Sequence, residues 1–314
     1  MIFAIINGVN QEYKSGGGYD FNYLCCLLFR RYCRFISSFY WASTALEYGV
    51  DYTGPGFYRI PYHLVFVVDV VLLKFNRTFW LLHLALPLVL GLSLAFIYPY
   101  TGLDTSLIQP FYDAHALVFP LKQDSFLENV MHQGLKDLVI AVSLIALGLW
   151  LYGVKVGASM KRYQTKSHWS YTYQQQFLWL FVAMVISTAT ISILKHLSIH
   201  DCPWNLLDYG GTQPLIPLFG SLPAGIKPGH CFPGGHASAG FALMALYFAF
   251  RDTLPKYANI GLVVGLFLGF AMGWGQMMRG AHFMSHNLWT AWLVWMILLT
   301  LYLIWQPKAL ISKL

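Results

Sequence analysis

Residues 231–250 read CFPGGHASAGFALMALYFAF, a glycine-rich turn that leads directly into an apolar run. The proline and two glycines at 233–235 favour a bend, because glycine adopts backbone conformations that other residues avoid. Residues 236–250 then have the composition of a membrane helix, although they are few for a full crossing unless the turn itself lies at the interface. The sequence therefore predicts an imidazole, that of His236, at the mouth of a membrane span.

The composition around this stretch is that of an integral membrane protein. Of the 314 residues, 57% are hydrophobic and 11% are charged, whereas a soluble domain carries roughly a quarter charged residues. Runs of about twenty apolar residues cross a bilayer as helices. Six such runs are predicted, at 79–98, 138–154, 177–194, about 236–250, 258–275 and 288–305. The predicted fold is an all-α, polytopic bundle of six transmembrane helices.

Lysine and arginine concentrate in alternate loops, which predicts the orientation of the spans. The formal net charge is +7, and most basic residues lie in short loops on one side of the predicted bundle. The positive-inside rule assigns that side to the cytoplasm. Both termini are therefore predicted to be cytoplasmic, and the loops 195–235 and 276–287 to lie on the opposite, external face. Because the charge has this topological explanation, nucleic acid is not expected as a partner.

The chain divides into three parts on this interpretation. Residues 1–78 are predicted to form a cytoplasmic or interfacial N-terminal region, 79–305 the six-helix membrane domain, and 306–314 a cytoplasmic tail. Residues 57–73 are apolar but interrupted, and an interfacial segment is favoured there over a seventh span.

Ionisable residues gather in three segments of the predicted external face. Such groups are costly at membrane depth and tend to mark function. The candidates are Lys195, His236, Arg279, His282 and His286. If the segment 273–289 is helical, its arginine and two histidines share one face, with Gln276 one turn earlier.

These residue types suit phosphoryl transfer. Lys195 and Arg279 supply positive charge for an oxyanion. The amides of Gly234 and Gly235 lie where a helix N-terminus directs N–H groups toward a phosphate. The helix dipole disfavours the imidazolium form of His236, which makes it a readier proton donor to a leaving oxygen.

A second imidazole, that of His282, is expected to attack phosphorus and form a phosphohistidine. This chemistry requires no metal ion and no cofactor. Each feature has an ordinary alternative: a loop histidine is usually solvated, a Gly-Gly pair is usually a turn, and Lys195 at a span end is usually an interfacial anchor. All of these residues are predicted to lie on one face of the membrane, and this favours a shared functional site.

With this order and spacing, the chain resembles the type 2 phosphatidic acid phosphatase (PAP2) superfamily, whose membrane members have a six-helix core and the signatures K-x6-R-P, P-S-G-H and S-R-x5-H-x3-D. Lys195 is followed, after six residues, by the pair that begins at Cys202. Residues 233–236 take the second signature, and the third places the nucleophile at His282. The resemblance covers about residues 79–305 and extends to a bacterial branch, some of it linked to lipid A phosphate modification.

The departures from these signatures affect the phosphate-binding arginines and the acid that orients the nucleophile. Cys202 and Gln276 stand where the family has arginine, Gly234 where it has serine, and His286 where it has aspartate. Arg279 is expected to restore one arginine from the same helical face. A divergent active enzyme is the favoured interpretation, and an inactive relative is the alternative.

Two further hypotheses concern the external loops. A neutral imidazole fixes the tautomer of its neighbour but adds no negative charge, so Asp201 or Asp208 is hypothesised to supply that charge. Cys202 and Cys231 lie in two external loops, where an oxidising compartment permits a disulfide. A disulfide between them and a pair of free thiols are the two alternatives.

The predicted function is hydrolysis of a phosphomonoester or pyrophosphate on a membrane lipid at the external ends of the third to sixth spans. The expected location is a bacterial inner membrane with a periplasmic site, although a lumenal site in the endoplasmic reticulum fits the same topology. A phosphotransferase using the same residues, a transporter, a non-catalytic lipid-binding relative and, more remotely, a vanadate haloperoxidase are the alternatives. The lipid and the oligomeric state are left open.

Overall fold

The computed structural model describes residues 75–163 and 168–310, and in these ranges the regular secondary structure is helical. The described part of the chain is therefore all-α, as the sequence predicts. The predicted interfacial segment at 57–73 and most of the predicted N-terminal region fall outside the described residues.

We number the helices of the described ranges in chain order. They are α1 (Arg77–Tyr100), α2 (Leu103–Ile108), α3 (Leu135–Tyr163), α4 (Trp169–Thr172), α5 (Gln174–His196), α6 (Gly235–Ala242), α7 (Ala245–Phe250), α8 (Pro255–Met278) and α9 (Met284–Ile304). A π-helical turn interrupts α1 at Leu81–Ala85, and a π-helical segment at Leu127–Gly134 leads into α3.

Five of these helical segments are long and apolar enough to cross a membrane: α1, the segment Leu127–Ser159 that includes most of α3, α5, α8 and α9. Each of these five segments contains the corresponding apolar run predicted from the sequence, to within one residue at its ends. The remaining predicted span consists of α6 and α7, which together occupy Gly235–Phe250. At 1.5 Å per residue this pair reaches about 24 Å, short of a hydrocarbon core about 30 Å thick. The predicted count of six full spans is therefore not confirmed.

Glycine allows α6 to pack closely on α8. A Cβ at Gly240 would overlap the backbone of Gly269, and a Cβ at Gly269 would overlap the ring of Phe241. Small residues bring membrane helices together in this way where hydrophobic burial alone gives little driving force. The close contact holds the start of α6 against the bundle.

Three connections then meet at one end of the bundle. The Trp204 N–H donates to the Gly280 carbonyl at 3.0 Å, and the Cys231 N–H donates to the His200 carbonyl at 2.9 Å. We call this the site end, defined by Lys195, His236 and His282. The loops predicted to share one membrane face thus lie together.

A second polar cluster lies at the opposite end of the bundle. We call it the His83 cluster; its members are His83, Tyr247, Arg251, Asp252 and Tyr302. His83, the ionisable residue within the first predicted span, is therefore packed against other polar side chains.

Candidate active site

Lys195 lies in the last turn of α5, and its side chain passes the first residue of α6. A Cβ built on Gly235 would lie 3.6 Å from the Lys195 Nζ. Glycine at this position therefore leaves room for an ammonium group beside a helix start, where backbone amides lack intrahelical acceptors. The two features together form an electropositive corner suited to an oxyanion.

Gly234 precedes α6 and is held by α9. Its N–H donates to the His286 carbonyl at 3.3 Å, and its own carbonyl accepts a hydrogen bond from the Thr290 hydroxyl at 3.2 Å. Because the Gly234 amide is engaged by the protein, the first-turn amides of α6 that can serve an anion begin at Gly235. From the sequence, both Gly234 and Gly235 are predicted to have this role.

The imidazoles of His236 and His282 lie across the corner from each other. Their ring centroids are 6.4 Å apart, and His282 is 2% exposed. Hydrogen-bond contacts of about 3 Å on either side allow one phosphoryl group to contact both rings. The arrangement is that of a candidate nucleophile and a candidate proton donor.

His282 and His286 are joined through their Nδ1 atoms, which lie 3.2 Å apart. A neutral imidazole carries its proton on one nitrogen and a lone pair on the other. When His282 donates its Nδ1–H to His286, the lone pair of His282 remains on Nε2. In that tautomer His286 is the acceptor, and Nε2 of His282 is the atom available as a nucleophile.

The pKa of His282 lies well below its usual range. Burial is the main cause, because it disfavours the charged ring, and His286, Lys195 and His236 lower the pKa further by charge repulsion. The ring is therefore neutral at neutral pH, which is the state a nucleophile needs.

Arg279 occupies a different position from the one expected. Helix α8 ends at Met278, Gly280 has φ +74°, and α9 begins at Met284. The prediction of one helical face that contains Arg279, His282 and His286 is therefore wrong, because a left-handed glycine breaks the helix between them.

The guanidinium of Arg279 contacts the connection that leads into α3. It forms an ion pair with Glu128, and its Nε–H donates to the Lys122 carbonyl at 3.1 Å. A longer contact of 3.5 Å joins it to the Oε1 of Gln276, which is buried, 3% exposed. Arg279 and Gln276 are thus neighbours, with the arginine charge paired to a carboxylate.

A disulfide joins Cys202 to Cys231, with their Cα atoms 5.2 Å apart. It links the loop after α5 to the turn before α6. Of the two alternatives drawn from the sequence, the structure has the bridged one.

The acidic residues hypothesised to supply charge, Asp201 and Asp208, form contacts within their own loop. Asp201 is buried and accepts a hydrogen bond from the Asn205 side chain at 3.3 Å. Asp208 belongs to the short 3-10 turn at Leu207–Tyr209. In the described part of the chain, neither forms an ion pair with His286.

Asp104 is a site-end residue that the sequence analysis missed. Its Oδ1 accepts the Ser285 N–H at 2.8 Å and the Tyr98 hydroxyl at 3.0 Å. The carboxylate thereby caps the N-terminus of α9, one residue before His286. Burial raises the pKa of Asp104, and its hydrogen bonds to Ser285 oppose that rise. Asp104 was indistinguishable in sequence from the other acids of its loop.

An apolar cavity of about 410 Å³ lies between α1, α8 and α9. It extends from Tyr98 and Thr101, at the site end of α1, to Trp295. Its lining includes Leu90, Leu94, Phe270, Leu288, Ala291 and Trp292. The indole N–H of Trp292 donates to the Pro87 carbonyl at 2.7 Å, so the lining suits hydrocarbon.

These features define a multi-pass, all-α membrane protein with a buried histidine pair at one end. Residues 176–309 match the family model of the PAP2 superfamily, and this match supports membership of that superfamily. The matched range contains all three segments that meet at the site end. Comparison with curated proteins gives no match, and comparison with solved structures gives none either.

The family resemblance drawn from the sequence is therefore confirmed, while the bacterial branch stays a prediction. Because PAP2 proteins are in general phosphatases or related hydrolases, the chain is a membrane protein of phosphatase type.

Proposed function

We propose that the protein hydrolyses a phosphomonoester or pyrophosphate on a membrane lipid through a phosphohistidine intermediate. The observation that carries this proposal is the buried His282–His286 pair, with its Nδ1 atoms 3.2 Å apart, facing His236 beside Lys195. A neutral nucleophile, a proton donor and an unpaired cation are the minimum set for metal-free phosphoryl transfer.

Lys195 and the first-turn amides of α6 bind the phosphate oxygens. Nε2 of His282 attacks phosphorus, and a P–N bond forms as the bond to the leaving oxygen breaks. His286 accepts the hydrogen bond from Nδ1–H of His282 and stabilises the ring in the productive tautomer. It acts as a positioning residue.

His236 gives its proton to the leaving oxygen, which departs as the lipid alcohol or lipid phosphate. The same ring, now neutral, takes a proton from water as that water attacks phosphorus. The P–N bond breaks, inorganic phosphate leaves, and both histidines return to their starting states.

Arg279 is proposed to contribute less to phosphate binding than the sequence predicts. Its charge is paired with Glu128, so we place it beside the site as a support for Gln276 and the loop before α3. Phosphate binding then falls mainly to Lys195.

The lipid part of the proposal is supported by the cavity between α1, α8 and α9. Its apolar lining reaches the site end at Tyr98, and hydrocarbon is the natural occupant of an apolar space among membrane spans. The bias of basic residues supports an external site end with cytoplasmic termini, and the resemblance to a bacterial branch favours a periplasmic site in a bacterial inner membrane.

The test is phosphate release by the purified full chain from phosphatidic acid, phosphatidylglycerol phosphate, undecaprenyl pyrophosphate and lipid A, with EDTA present. His282→Ala is expected to abolish release, and His196→Ala is the matched control, because His196 is an exposed imidazole one residue from Lys195 that stacks on His230. Base-stable, acid-labile label on the protein from a radiolabelled substrate identifies phosphohistidine. Release that requires a metal ion, or that survives His282→Ala, contradicts the mechanism.

Addition of a lipid hydroxyl or lipid phosphate acceptor to the same assay separates hydrolysis from phosphotransfer. Labelled phosphate in a lipid product indicates a phosphotransferase, whereas free phosphate alone indicates a phosphatase. Both outcomes use the same histidine intermediate.

A further inference from the structure

Three potential metal ligands meet where the disulfide touches the histidine pair. The Sγ of Cys231 and the Nδ1 atoms of His282 and His286 all lie within 4.8 Å of one another, and all three residues are buried. The two nitrogens are 3.2 Å apart, and the sulfur is 3.6 Å from the Nδ1 of His282.

The two separations that involve the Nδ1 of His282 fit a tetrahedral zinc ion. With Zn–N bonds of about 2.05 Å and a Zn–S bond of about 2.3 Å, tetrahedral angles put two nitrogens about 3.3 Å apart and sulfur about 3.6 Å from nitrogen. Sulfur and imidazole nitrogen are also the donor types that zinc prefers. The His282 nitrogen therefore stands near its coordinating separation from each of the other two donor atoms before any ion enters, and these two lie within 4.8 Å of each other.

The state of the disulfide determines whether these three residues can bind a metal ion. While Cys231 is bonded to Cys202, it offers no thiolate, and the nearby positive charge of Lys195 disfavours a cation between two neutral imidazoles. Once the bond is reduced, the thiolate of Cys231 supplies both a third ligand and a negative charge that offsets Lys195.

We propose that reduction of the Cys202–Cys231 bond creates a zinc site formed by Cys231, His282 and His286. A thiol or dithiol reductant breaks the S–S bond by exchange, is itself oxidised to a disulfide, and leaves two cysteine thiols. Zinc binding then displaces the proton of the Cys231 thiol to solvent. The fourth position of the tetrahedron remains open to water or a phosphate oxygen.

Zinc at this position blocks the nucleophile. A neutral imidazole that binds metal through Nδ1 carries its proton on Nε2, so His282 loses the lone pair with which it attacks phosphorus. Bound zinc also replaces the hydrogen bond between His282 and His286. This consequence rests on the proposed function, whereas the metal site itself does not.

The test measures zinc and cobalt binding to the full chain in detergent, by competition with a chromophoric chelator. The reductant is a phosphine, which is oxidised to its oxide with oxygen from water and is removed before titration. Cys202→Ser frees Cys231 without reductant, and Cys231→Ser removes the sulfur ligand but keeps the other cysteines.

We expect one more equivalent of zinc in Cys202→Ser and in reduced wild type than in Cys231→Ser, with a cobalt–thiolate absorption band in the first two. Oxidised wild type should lack this equivalent. Equal binding by Cys202→Ser and Cys231→Ser, or by oxidised and reduced wild type, overturns the proposal. Reduced wild type keeps the test valid if a variant does not fold.

A separate activity measurement links this site to the proposed function. Zinc should lower the turnover of Cys202→Ser at least about tenfold, as expected for a masked nucleophile, and leave oxidised wild type unchanged. If oxidised wild type shows no turnover on any lipid, the proposed function fails, while the binding measurement still tests the metal site. If Cys202→Ser binds zinc and keeps full turnover, the inhibitory consequence fails.

Discussion

The two polar clusters of the bundle differ in how their charges are paired. In the His83 cluster the Nδ1–H of His83 donates to the Phe79 carbonyl at 2.9 Å, and its Nε2 accepts from Tyr247 at 2.6 Å and from Arg251 at 2.8 Å. Arg251 lies 3.5 Å from Asp252, which also accepts a hydrogen bond from Tyr302.

At the site end the cation is not neutralised. Lys195 lies beside two imidazoles and a helix start, and in the described ranges no carboxylate pairs with it. Buried polar groups that are mutually satisfied stabilise a fold, whereas a set that retains a net positive field requires an anion from outside. This difference supports the proposal that the site end binds phosphate, and it favours a stabilising role for the His83 cluster.

The largest expected effect is that of removing the nucleophile. His282→Ala should lower kcat at least about a thousandfold, because it removes the imidazole proposed to form the P–N bond. His83→Ala removes a buried imidazole from the other cluster and should leave kcat per folded molecule within about threefold, since that cluster lies at the end of the bundle opposite the proposed site. Comparable losses of kcat in the two variants would break the comparison.

The second largest effect on activity is expected from removal of the Lys195 ammonium group. Lys195→Ala is expected to lower kcat/KM about a hundredfold, in the range observed when one charge-stabilising donor is removed. Arg279→Ala, which removes a cation already paired with Glu128, should cost less than about tenfold. A larger loss for Arg279→Ala would show that the Glu128 ion pair opens during turnover and that the arginine binds phosphate.

The pH dependence sharpens the account of His282. Its pKa is lowered by burial and by the neighbouring cationic groups, so the neutral, attacking form persists as the pH falls through the range where an exposed imidazole becomes protonated. The acid limb of kcat that reports this group should therefore lie below that range. A limb at the ordinary imidazole position would contradict the assignment.

His286→Asp provides the matched test of that electrostatic effect. An aspartate at this position adds a negative charge beside His282 and removes a neighbouring imidazole, and both changes favour protonation of the nucleophile. The pKa of His282 should rise, and the acid limb of kcat should move to higher pH. His286→Asn, which keeps an acceptor without charge, should leave the limb nearer its original place.

Sequence alone predicted the parts of the molecule that local patterns encode. Apolar runs predicted the five long helices, since hydropathy over about twenty residues is a local property. The order and spacing of Lys195, His236 and His282 predicted residues that meet at one end of the bundle, because each follows or precedes a span end. The places of Cys202 and Cys231 in two external loops made a disulfide one of two alternatives, and the sequence did not decide between them.

The features that sequence missed depend on contacts between distant segments. Asp104 caps α9 by accepting the N–H of Ser285, which lies 181 positions later in the chain. Glu128, in the connection before α3, forms an ion pair with Arg279. Neither contact has a local signature. The loop at 276–287 was predicted, but the separation of Arg279 from the two histidines was not, because it depends on the left-handed backbone of Gly280 that follows the end of α8.

The smallest effect on activity is expected from the edge of the His83 cluster. Tyr302 is 1% exposed and donates its hydroxyl hydrogen bond to Asp252. Tyr302→Phe deletes that bond to a charged acceptor and should lower the free energy of unfolding by about 1–2 kcal/mol, measured by denaturation in detergent. Because the tyrosine lies at the end of α9 opposite His286, kcat per folded molecule should stay unchanged. A fall in kcat without a fall in stability would mean that the two ends of α9 are coupled, and the division of roles between the clusters would then be wrong.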